Sequence, residues 1–274
     1  MIRFLFLAGG SALLGACAFQ AGGLFQPLNP VVASLSQREP EVPYVPTPAP
    51  VVDAMLDMAE IGPDDYLIDL GSGDGRIVIA AARRGARGLG VDIDPARVAE
   101  AANAARFAGV EGRATFRRQD LFATPLREAD VIAIYLLPDV NLRLRPRLLT
   151  ELRPGSRIVS HAFAMGDWRP DEHRDVDGRN AYLWIVPAVA GGEWAITGAD
   201  GAAMLLELEQ RFQQVRGTLT VEGQSLALSD TALRGDRLRF TAGGRAYAAI
   251  IDGAVMRPDP DAPGERGWRG RRTD

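Results

Sequence analysis

Residues 67–94, with the sequence LIDLGSGDGRIVIAAARRGARGLGVDID, constrain the fold more than any other stretch. An apolar run typical of a buried strand leads into a turn with glycine at every second position, and the apolar spacing of a helix follows. A second apolar run then ends in acidic residues. A strand, a crossover helix and a second strand in this order predict parallel pairing and an α/β fold.

The same alternation extends along the chain. A helical pattern begins at Pro50, and further helices are predicted at residues 75–84, 95–108 and 143–152. The predicted strands are residues 66–69, 88–92, 114–118, 130–134, 157–163 and 180–187. Apolar strands that alternate with helices indicate a Rossmann-like, doubly wound and mostly parallel sheet with both faces covered.

The pattern changes after Pro187. Residues 190–272 show alternating apolar and polar positions interrupted by glycine and aspartate turns, which predicts a small antiparallel β domain. The segment LELEQRF within it is also compatible with a helix, but the GTLTVEG that follows favours a hairpin. The domains expected from the whole pattern are a leader at residues 1–17, a linker at 18–43, an α/β domain at 44–188 and the β domain at 190–272.

The N-terminus has the pattern of an export signal. Arg3 is followed by an apolar run at residues 4–14 that is short for a membrane span. The next residues, LGAC, resemble a bacterial lipobox that ends at Cys17. We therefore expect a lipoprotein-like chain that is membrane-associated in the bacterial cell envelope. The alternatives are an uncleaved anchor that leaves the protein facing the cytoplasm, and a buried apolar helix.

Composition excludes several kinds of chemistry. Cys17 is the single cysteine of the 274 residues, so an internal disulfide is impossible, and the chain has two histidines. We therefore expect no metal centre. The net charge is −4, and the one dense basic cluster is the terminal RGWRGRRTD. A nucleic-acid partner is accordingly not expected.

The glycine turn has the pattern of a nucleotide-cofactor site. Asp69 ends the first strand, and Gly71, Gly73 and Gly75 allow the backbone to approach a ligand without an intervening Cβ. The following helix points its amide groups at the turn. Asp92 ends the next strand, where a carboxylate can accept hydrogen bonds from both hydroxyls of a ribose.

The charges in the turn indicate which cofactor it binds. A dinucleotide site prefers G-x-G-x-x-G, but here Arg76 occupies the position of the third glycine. The carboxylate of Asp74 would repel a pyrophosphate and tolerate a cationic methionine moiety. S-adenosyl-L-methionine is therefore the predicted cofactor, and a nicotinamide dinucleotide is the weaker alternative.

With DLGSGDG, GVDID, RQDLF and DVIAIYLLP, the chain resembles the seven-stranded, class I S-adenosylmethionine-dependent methyltransferases. The preceding YVPTPAPVVDAML resembles the lysine methyltransferases of the ATP synthase c-subunit and the adenine nucleotide translocase. The resemblance implies that residues 44–47, including Val45, form a lid over the cofactor. It further implies these cofactor-binding residues: Tyr44, Pro46, Thr47, Asp69, Gly71, Ser72, Gly73, Asp74, Gly75, Asp92, Ile93, Asp120 and Leu121.

The methyl acceptor is expected beyond the fourth strand. Tyr135 and Asn141 in YLLPDVN are candidates to hydrogen-bond an amine. His161 is a candidate base, although a purely structural histidine in the core or at a strand end is the alternative with the higher prior. These residues favour a methyltransferase whose leading acceptor is a protein lysine; a small-molecule or lipid-linked acceptor is the alternative within this class. The alternative from another class is a non-catalytic envelope lipoprotein with a relic methyltransferase fold and a partner-binding β domain.

Overall fold

The computed structural model describes residues 44–273, which all belong to one compact unit. The expected leader, Cys17 and the linker at 18–43 lie outside the described residues. Within residues 44–273, no helix has the length and apolar character needed to cross a membrane.

The first part of this unit is a seven-stranded sheet with the strand order β3-β2-β1-β4-β5-β7-β6. Strands β1 to β5 pair in parallel, and β7 is antiparallel to both of its neighbours. The expected α/β fold is thereby confirmed. Its strands are β1 Tyr66–Leu70, β2 Arg87–Asp92, β3 Ala114–Arg118, β4 Val131–Ile134, β5 Arg157–His161, β6 Glu172–Val176 and β7 Arg179–Ile185. Its helices are α1 Ala49–Met58, α2 Arg76–Arg83, α3 Pro95–Phe107 and α4 Pro138–Glu151, with a 3₁₀ turn at Leu121–Ala123.

Two elements differ from the sequence prediction. Helix α4 begins at Pro138, five residues before the predicted start at 143, because the fixed φ of proline suits the first turn of a helix. Strand β6 was not predicted. Its sequence EHRDV has no buried residue and pairs with β7 alone. An edge strand of this kind is polar, so it lacks the apolar signal by which buried strands are recognised.

Helices cover both faces of this sheet. On one face, Met55 and Leu56 of α1 pack with Val78 of α2 against β1 and β4. On the other face, Leu144 and Leu148 of α4 pack with apolar residues of β4 and β5. The doubly wound arrangement directs the loops after β1, β2 and β4 to the same edge, where the carboxyl ends of the parallel strands lie.

The second part is a nine-stranded antiparallel sheet with the order β11-β10-β9-β8-β16-β15-β14-β13-β12. Its two edges meet, because the N–H of Leu228 donates to the carbonyl of Gly217 (3.0 Å) and the hydroxyl of Thr231 donates to the carbonyl of Val215 (2.7 Å). The sheet is therefore nearly a closed barrel. The segment LELEQRF lies within strand β9, as the hairpin interpretation required. The strands are β8 Gly192–Thr197, β9 Ala203–Arg211, β10 Gln214–Val221, β11 Gln224–Ala227, β12 Ser229–Arg234, β13 Arg237–Ala242, β14 Arg245–Asp252, β15 Val255–Pro258 and β16 Arg269–Arg272.

The turn between β9 and β10 packs on the first sheet. The Phe212 ring stacks on Trp168 with a centroid distance of 5.7 Å, and the Trp168 Nε1–H donates to the side chain of Gln213 (2.9 Å). Because Phe212 stacks on Trp168 and Gln213 accepts its N–H, the second sheet completes part of the first sheet's core.

Candidate active site

The glycine turn between β1 and α2 is folded tightly against the end of β2. The N–H groups of Gly71 and Ser72 both donate to the carbonyl of Val91, at 2.9 and 3.0 Å. Gly73 has a φ of +51°, and a Cβ at this position would lie 2.4 Å from the ring of Tyr44. Glycine is therefore required here for both its conformation and the close approach of the lid.

Asp92 holds this turn from the neighbouring strand. One carboxylate oxygen accepts the N–H of Gly73 and the other accepts the N–H of Asp94, each at 2.9 Å. Each oxygen of an ionised carboxylate can accept a second hydrogen bond, so Asp92 retains acceptor capacity towards the cavity that it lines. This arrangement suits a pair of ribose hydroxyls.

Asp69 is the most strongly perturbed acid of the site. Its side chain is 2% exposed, and it accepts no hydrogen bond from any residue in the described range. Burial, followed by the charges of Asp92 and Asp74, raises the pKa of Asp69 to about 8. A cationic group placed beside it would restore the ionised form, so the position suits the amino group of a methionine moiety.

The predicted lid segment, residues 44–47, is connected to the turn through Arg76. Arg76 binds Asp74 (2.5 Å), and its other terminal nitrogen donates to the carbonyl of Thr47 at 2.8 Å. Burial alone would raise the pKa of Asp74, but the hydrogen bonds from Arg76 outweigh this effect and lower it. The Tyr44 ring lies beneath the guanidinium of Arg97, at 4.0 Å. The arginine that replaces the third glycine thus connects the turn to the lid.

The three candidate acceptor-side residues occupy different positions. Tyr135 lines the cavity, and its ring centroid is 3.9 Å from that of His161. His161 is buried behind Tyr135, and its Nδ1 is 3.1 Å from the hydroxyl of Thr47. Burial, with a smaller contribution from Arg179, lowers the pKa of His161 to about 4, so its ring is neutral at neutral pH.

Asn141 lies on α4 outside the cavity lining. Its side-chain nitrogen is 3.4 Å from the carbonyl of Phe163, and its Oδ1 is buried without a hydrogen-bond partner among residues 44–273. Neither Asn141 nor His161 is among the residues that line the cavity. Their catalytic roles remain predictions, as does that of Tyr135.

These elements enclose a cavity of about 570 Å³, a size typical of small-molecule sites. Gly75 is outside the lining; its φ of +81° and the proximity of Phe116 show that it is needed for the start of α2. Asp120 caps the 3₁₀ turn by accepting the N–H of Phe122 at 2.8 Å. The predicted cofactor residues that line the cavity are Tyr44, Pro46, Thr47, Asp69, Gly71, Ser72, Gly73, Asp74, Asp92, Ile93, Asp120 and Leu121.

Sequence reasoning did not select several lining residues. Phe122, Leu136 and Val140 form apolar walls, and Arg97 covers Tyr44. Phe122, Leu136 and Val140 could have been found from their positions shortly after β3 and β4, because in doubly wound folds the ligand binds at that edge of the sheet. No sequence pattern pairs Arg97 with Tyr44, which is 53 residues away.

The cavity fits S-adenosylmethionine on its own geometry. The Ser72 hydroxyl is buried in the turn without a hydrogen-bond partner in the described chain, and the cavity includes this residue. A Cβ on Gly71 would lie 3.1 Å from Leu136 and narrow the space. Within residues 44–273, no group of three His, Cys, Asp or Glu side chains is placed to hold a metal ion.

Comparison with known proteins agrees with this geometry. The ANTKMT methyltransferase domain model matches residues 69–172. A protein-lysine N-methyltransferase of Saccharolobus islandicus is 42% identical over 153 residues, which cover 54% of this chain and 95% of that protein. The adenine nucleotide translocase lysine N-methyltransferase of Mus musculus is 37% identical over 131 residues, which cover 47% of this chain and 57% of the mouse protein. This chain therefore spans little more than half the length of the mouse relative.

A solved structure is also similar. The RNA methyltransferase from Salinibacter ruber, crystallised with S-adenosyl-L-homocysteine, aligns with a TM-score of 0.52 and 53% identity. The alignment covers 52% of this chain and 94% of that one.

The fold and the cavity define an S-adenosylmethionine-dependent methyltransferase. More narrowly, the chain belongs to the methyltransferase family described by the ANTKMT methyltransferase domain. The interpretation as a non-catalytic relic receives no support from the relatives, which are named as enzymes.

Proposed function

We propose that this enzyme transfers a methyl group from S-adenosylmethionine to the side-chain nitrogen of a protein lysine. The observation that carries the proposal is the charge of the cavity. Five aspartates line it, namely Asp69, Asp74, Asp92, Asp94 and Asp120, against two arginines. Asp69 is protonated at neutral pH and Asp74 is paired with Arg76, so the acidic charge of the lining comes from Asp92, Asp94 and Asp120. Both arginines are engaged, Arg76 with Asp74 and Arg97 with Glu100. Such a lining attracts a cationic lysine and repels a phosphate backbone.

The acceptor end of the cavity supports the same conclusion. Leu136, Val140 and Phe122 supply apolar walls beside Tyr135. A lysine nitrogen must lose its proton before it can act as a nucleophile, and an apolar environment lowers its pKa. When bound, S-adenosylmethionine supplies an activated methyl group, so the protein's task is to align the amine and exclude water. The lid held by Arg76 serves this second purpose.

The relatives bear on the acceptor in two ways. The Saccharolobus islandicus relative is named a protein-lysine N-methyltransferase, whereas the Salinibacter ruber relative is named an RNA methyltransferase. RNA is therefore the second candidate acceptor. The acidic lining weighs against it, because single-stranded RNA sites combine a positively charged groove with stacking platforms.

One property of the chain simplifies the test. All 31 of its basic Lys and Arg residues are arginine, so the enzyme contains no lysine of its own. The full-length protein would be incubated with S-adenosylmethionine labelled at the methyl group and with the proteins and RNA of its native host as separate fractions. We expect label in methyllysine after hydrolysis of the protein fraction, and none of it can come from the enzyme.

The control is the Asp92→Ala variant, which should transfer no label to either fraction. Label confined to RNA nucleosides would replace lysine with the second candidate. Label in neither fraction, despite measurable binding of S-adenosylhomocysteine, would contradict a macromolecular acceptor and favour a small-molecule or lipid-linked one.

A further inference from the structure

The basic C-terminal stretch RGWRGRR is part of the second sheet. Its last four residues form β16 between β8 and β15. Gly270 points into the barrel with the buried ring of Trp268, and Arg272 donates to the carbonyls of Gly191 and Val189. Alternate residues of a strand point to opposite faces, so Arg269 and Arg271 project outward from the barrel.

These outward arginines meet a third on the neighbouring strand. Arg271 lies opposite Val255 of β15, and the same antiparallel register places Arg257 beside Arg269. Adjacent strands are about 4.8 Å apart, so the three guanidinium groups share one surface. We call Arg257, Arg269 and Arg271 the arginine face.

The arginine face has an excess of positive charge. None of its three arginines forms an ion pair with a residue of the described range. The nearby carboxylates of Asp259 and Asp261 are both bound by Arg237. Two exposed acids border the face, Asp252 opposite Val255 and Glu193 on β8, so its three arginines outnumber them. By contrast, Arg216 on the outer surface of β10 is neutralised by Glu209. In a chain with a net charge of −4, three arginines without an ion pair to residues 44–273 on one surface are a local exception.

We propose that the arginine face binds the anionic headgroups of a phospholipid membrane. Val255 is 42% exposed among these arginines and adds an apolar contact of the kind that an interface accommodates. The sequence also has an apolar run at residues 4–14, which is short for a stable span. Weak apolar anchors hold proteins to membranes stably when a basic patch supplies a second signal, with each arginine strengthening binding about five-fold.

A membrane fits this surface better than RNA does. The face is the outside of a sheet, with no described aromatic side chain exposed beside its arginines on which bases could stack. It also lies in the second sheet, away from the cavity, whose acidic lining would repel the phosphates of a nucleic-acid substrate. Headgroup binding requires neither a groove nor a connection to the cavity.

The test uses the full-length chain in vesicle co-sedimentation at low ionic strength. One set of vesicles mixes phosphatidylglycerol with phosphatidylcholine, and the other contains phosphatidylcholine alone. We expect at least about ten-fold stronger binding to the anionic vesicles, lost on adding salt because exposed charges are screened. The R257Q/R269Q/R271Q variant should bind both sets equally.

The matched control removes three exposed arginines of the first region, as R106Q/R113Q/R127Q, and should keep the preference for anionic vesicles. Binding of S-adenosylhomocysteine by both variants checks that they are folded and separates this proposal from that for the acceptor. Equal loss of binding to anionic vesicles in the two variants would show that the total charge of the protein, rather than the arginine face, causes this binding, and would overturn the proposal. So would a wild-type protein without preference between the vesicles, or an arginine face that binds a single-stranded RNA oligonucleotide and no vesicle.

Discussion

Asp69 in the first sheet and Asp259 in the second are both almost completely buried, but their electrostatic environments are opposite. Asp69 receives no hydrogen bond from the described residues, and its pKa is raised to about 8. Burial would raise the pKa of Asp259 as well, but the N–H of Asp261 and the guanidinium of Arg237 outweigh it and lower the pKa. The second sheet satisfies its buried charge, whereas the first leaves one unsatisfied.

The same contrast extends to neutral groups. The two buried side-chain polar atoms that lack a hydrogen-bond partner within residues 44–273, Ser72 Oγ and Asn141 Oδ1, both belong to the first region. Burying such atoms costs about 1–3 kcal/mol each, so folded proteins generally retain them where a ligand or a function uses them. Ser72 lines the cavity and Asn141 does not, so the preparation of the first region for a ligand rests on Ser72 and Asp69. The second sheet has no such unsatisfied atom among its described residues and satisfies its own buried polar groups.

The test with the largest expected effect replaces one aspartate by asparagine in each region. Asp92→Asn should weaken binding of S-adenosylhomocysteine roughly 50-fold or more, because charged hydrogen bonds to the turn and the ligand contribute about 2–3 kcal/mol. Asp259→Asn should lower the thermal midpoint and leave this affinity unchanged. Calorimetric titration gives the affinity of each variant for S-adenosylhomocysteine, and thermal unfolding gives the thermal midpoint of each. A comparable loss of affinity in both would contradict the division of roles.

A second test uses two glycines with positive φ. Gly73→Ala and Gly244→Ala should each cost about 1 kcal/mol of stability, because both replace a glycine in the left-handed region. A Cβ at Gly244 meets nothing within 4 Å, whereas one at Gly73 meets Tyr44. We therefore expect about ten-fold weaker binding of S-adenosylhomocysteine in Gly73→Ala alone. Unchanged affinity in that variant would show that Tyr44 is not part of a lid.

The third test is the pH dependence of stability. The pKa of Asp69 is raised in the folded protein, so the stability linked to its protonated form is complete at low pH and is lost as the pH rises through about 8. His161, with a pKa lowered to about 4, has the opposite dependence, and its contribution is lost as the pH falls below its ordinary 6.5. The interval from pH 6.5 to 8 therefore reports on Asp69.

In that interval, the free energy of unfolding of the wild-type protein should fall by about 1–2 kcal/mol relative to Asp69→Asn, since the limiting slope is about 1.4 kcal/mol per pH unit. Urea titrations at several pH values measure it. Parallel curves for the two proteins would mean that Asp69 is ionised in the folded state and would remove the contrast with Asp259.

Much of the first region followed from local sequence. The order of strand, glycine turn, helix and acid between residues 67 and 94 determined the cofactor turn, because apolar spacing, glycine and a terminal acid are each short-range signals. The start of α4 and the polar strand β6 were missed for the same reason. The proline start lay between the predicted strand at 130–134 and the predicted helix at 143–152, and an exposed edge strand carries no apolar pattern.

The site was less predictable where it depends on distant pairs. The contact of Thr47 with His161 spans 114 positions, and the bond from Arg76 to Thr47 spans 29. Neither has a sequence signature, because both depend on how β5 and the lid are placed by the completed sheet. The second sheet was predicted as antiparallel from its alternation, but the near-closure through Leu228 and Thr231 could not be derived from local patterns.

The smallest expected effect compares two threonine hydroxyls. In the first region, the hydroxyl of Thr47 lies 3.1 Å from the buried Nδ1 of His161. In the second, the hydroxyl of Thr231 donates to the carbonyl of Val215 at 2.7 Å. Replacement of either residue by valine removes one hydrogen bond worth about 1 kcal/mol. If the first bond holds the lid, its loss should appear in ligand affinity as about a five-fold increase in Kd for S-adenosylhomocysteine.

Thr231→Val should leave that Kd unchanged and lower the free energy of unfolding instead. Thr47→Ser, which keeps the hydroxyl, should restore most of the affinity lost in Thr47→Val and so separates the hydrogen bond from side-chain packing. Failure of serine to restore it would assign the role of Thr47 to the packing of its buried methyl group. In that case His161 would be a purely structural core histidine in contact with Tyr135, which was the alternative considered from the sequence. The attachment of the lid to the turn would then depend on Arg76.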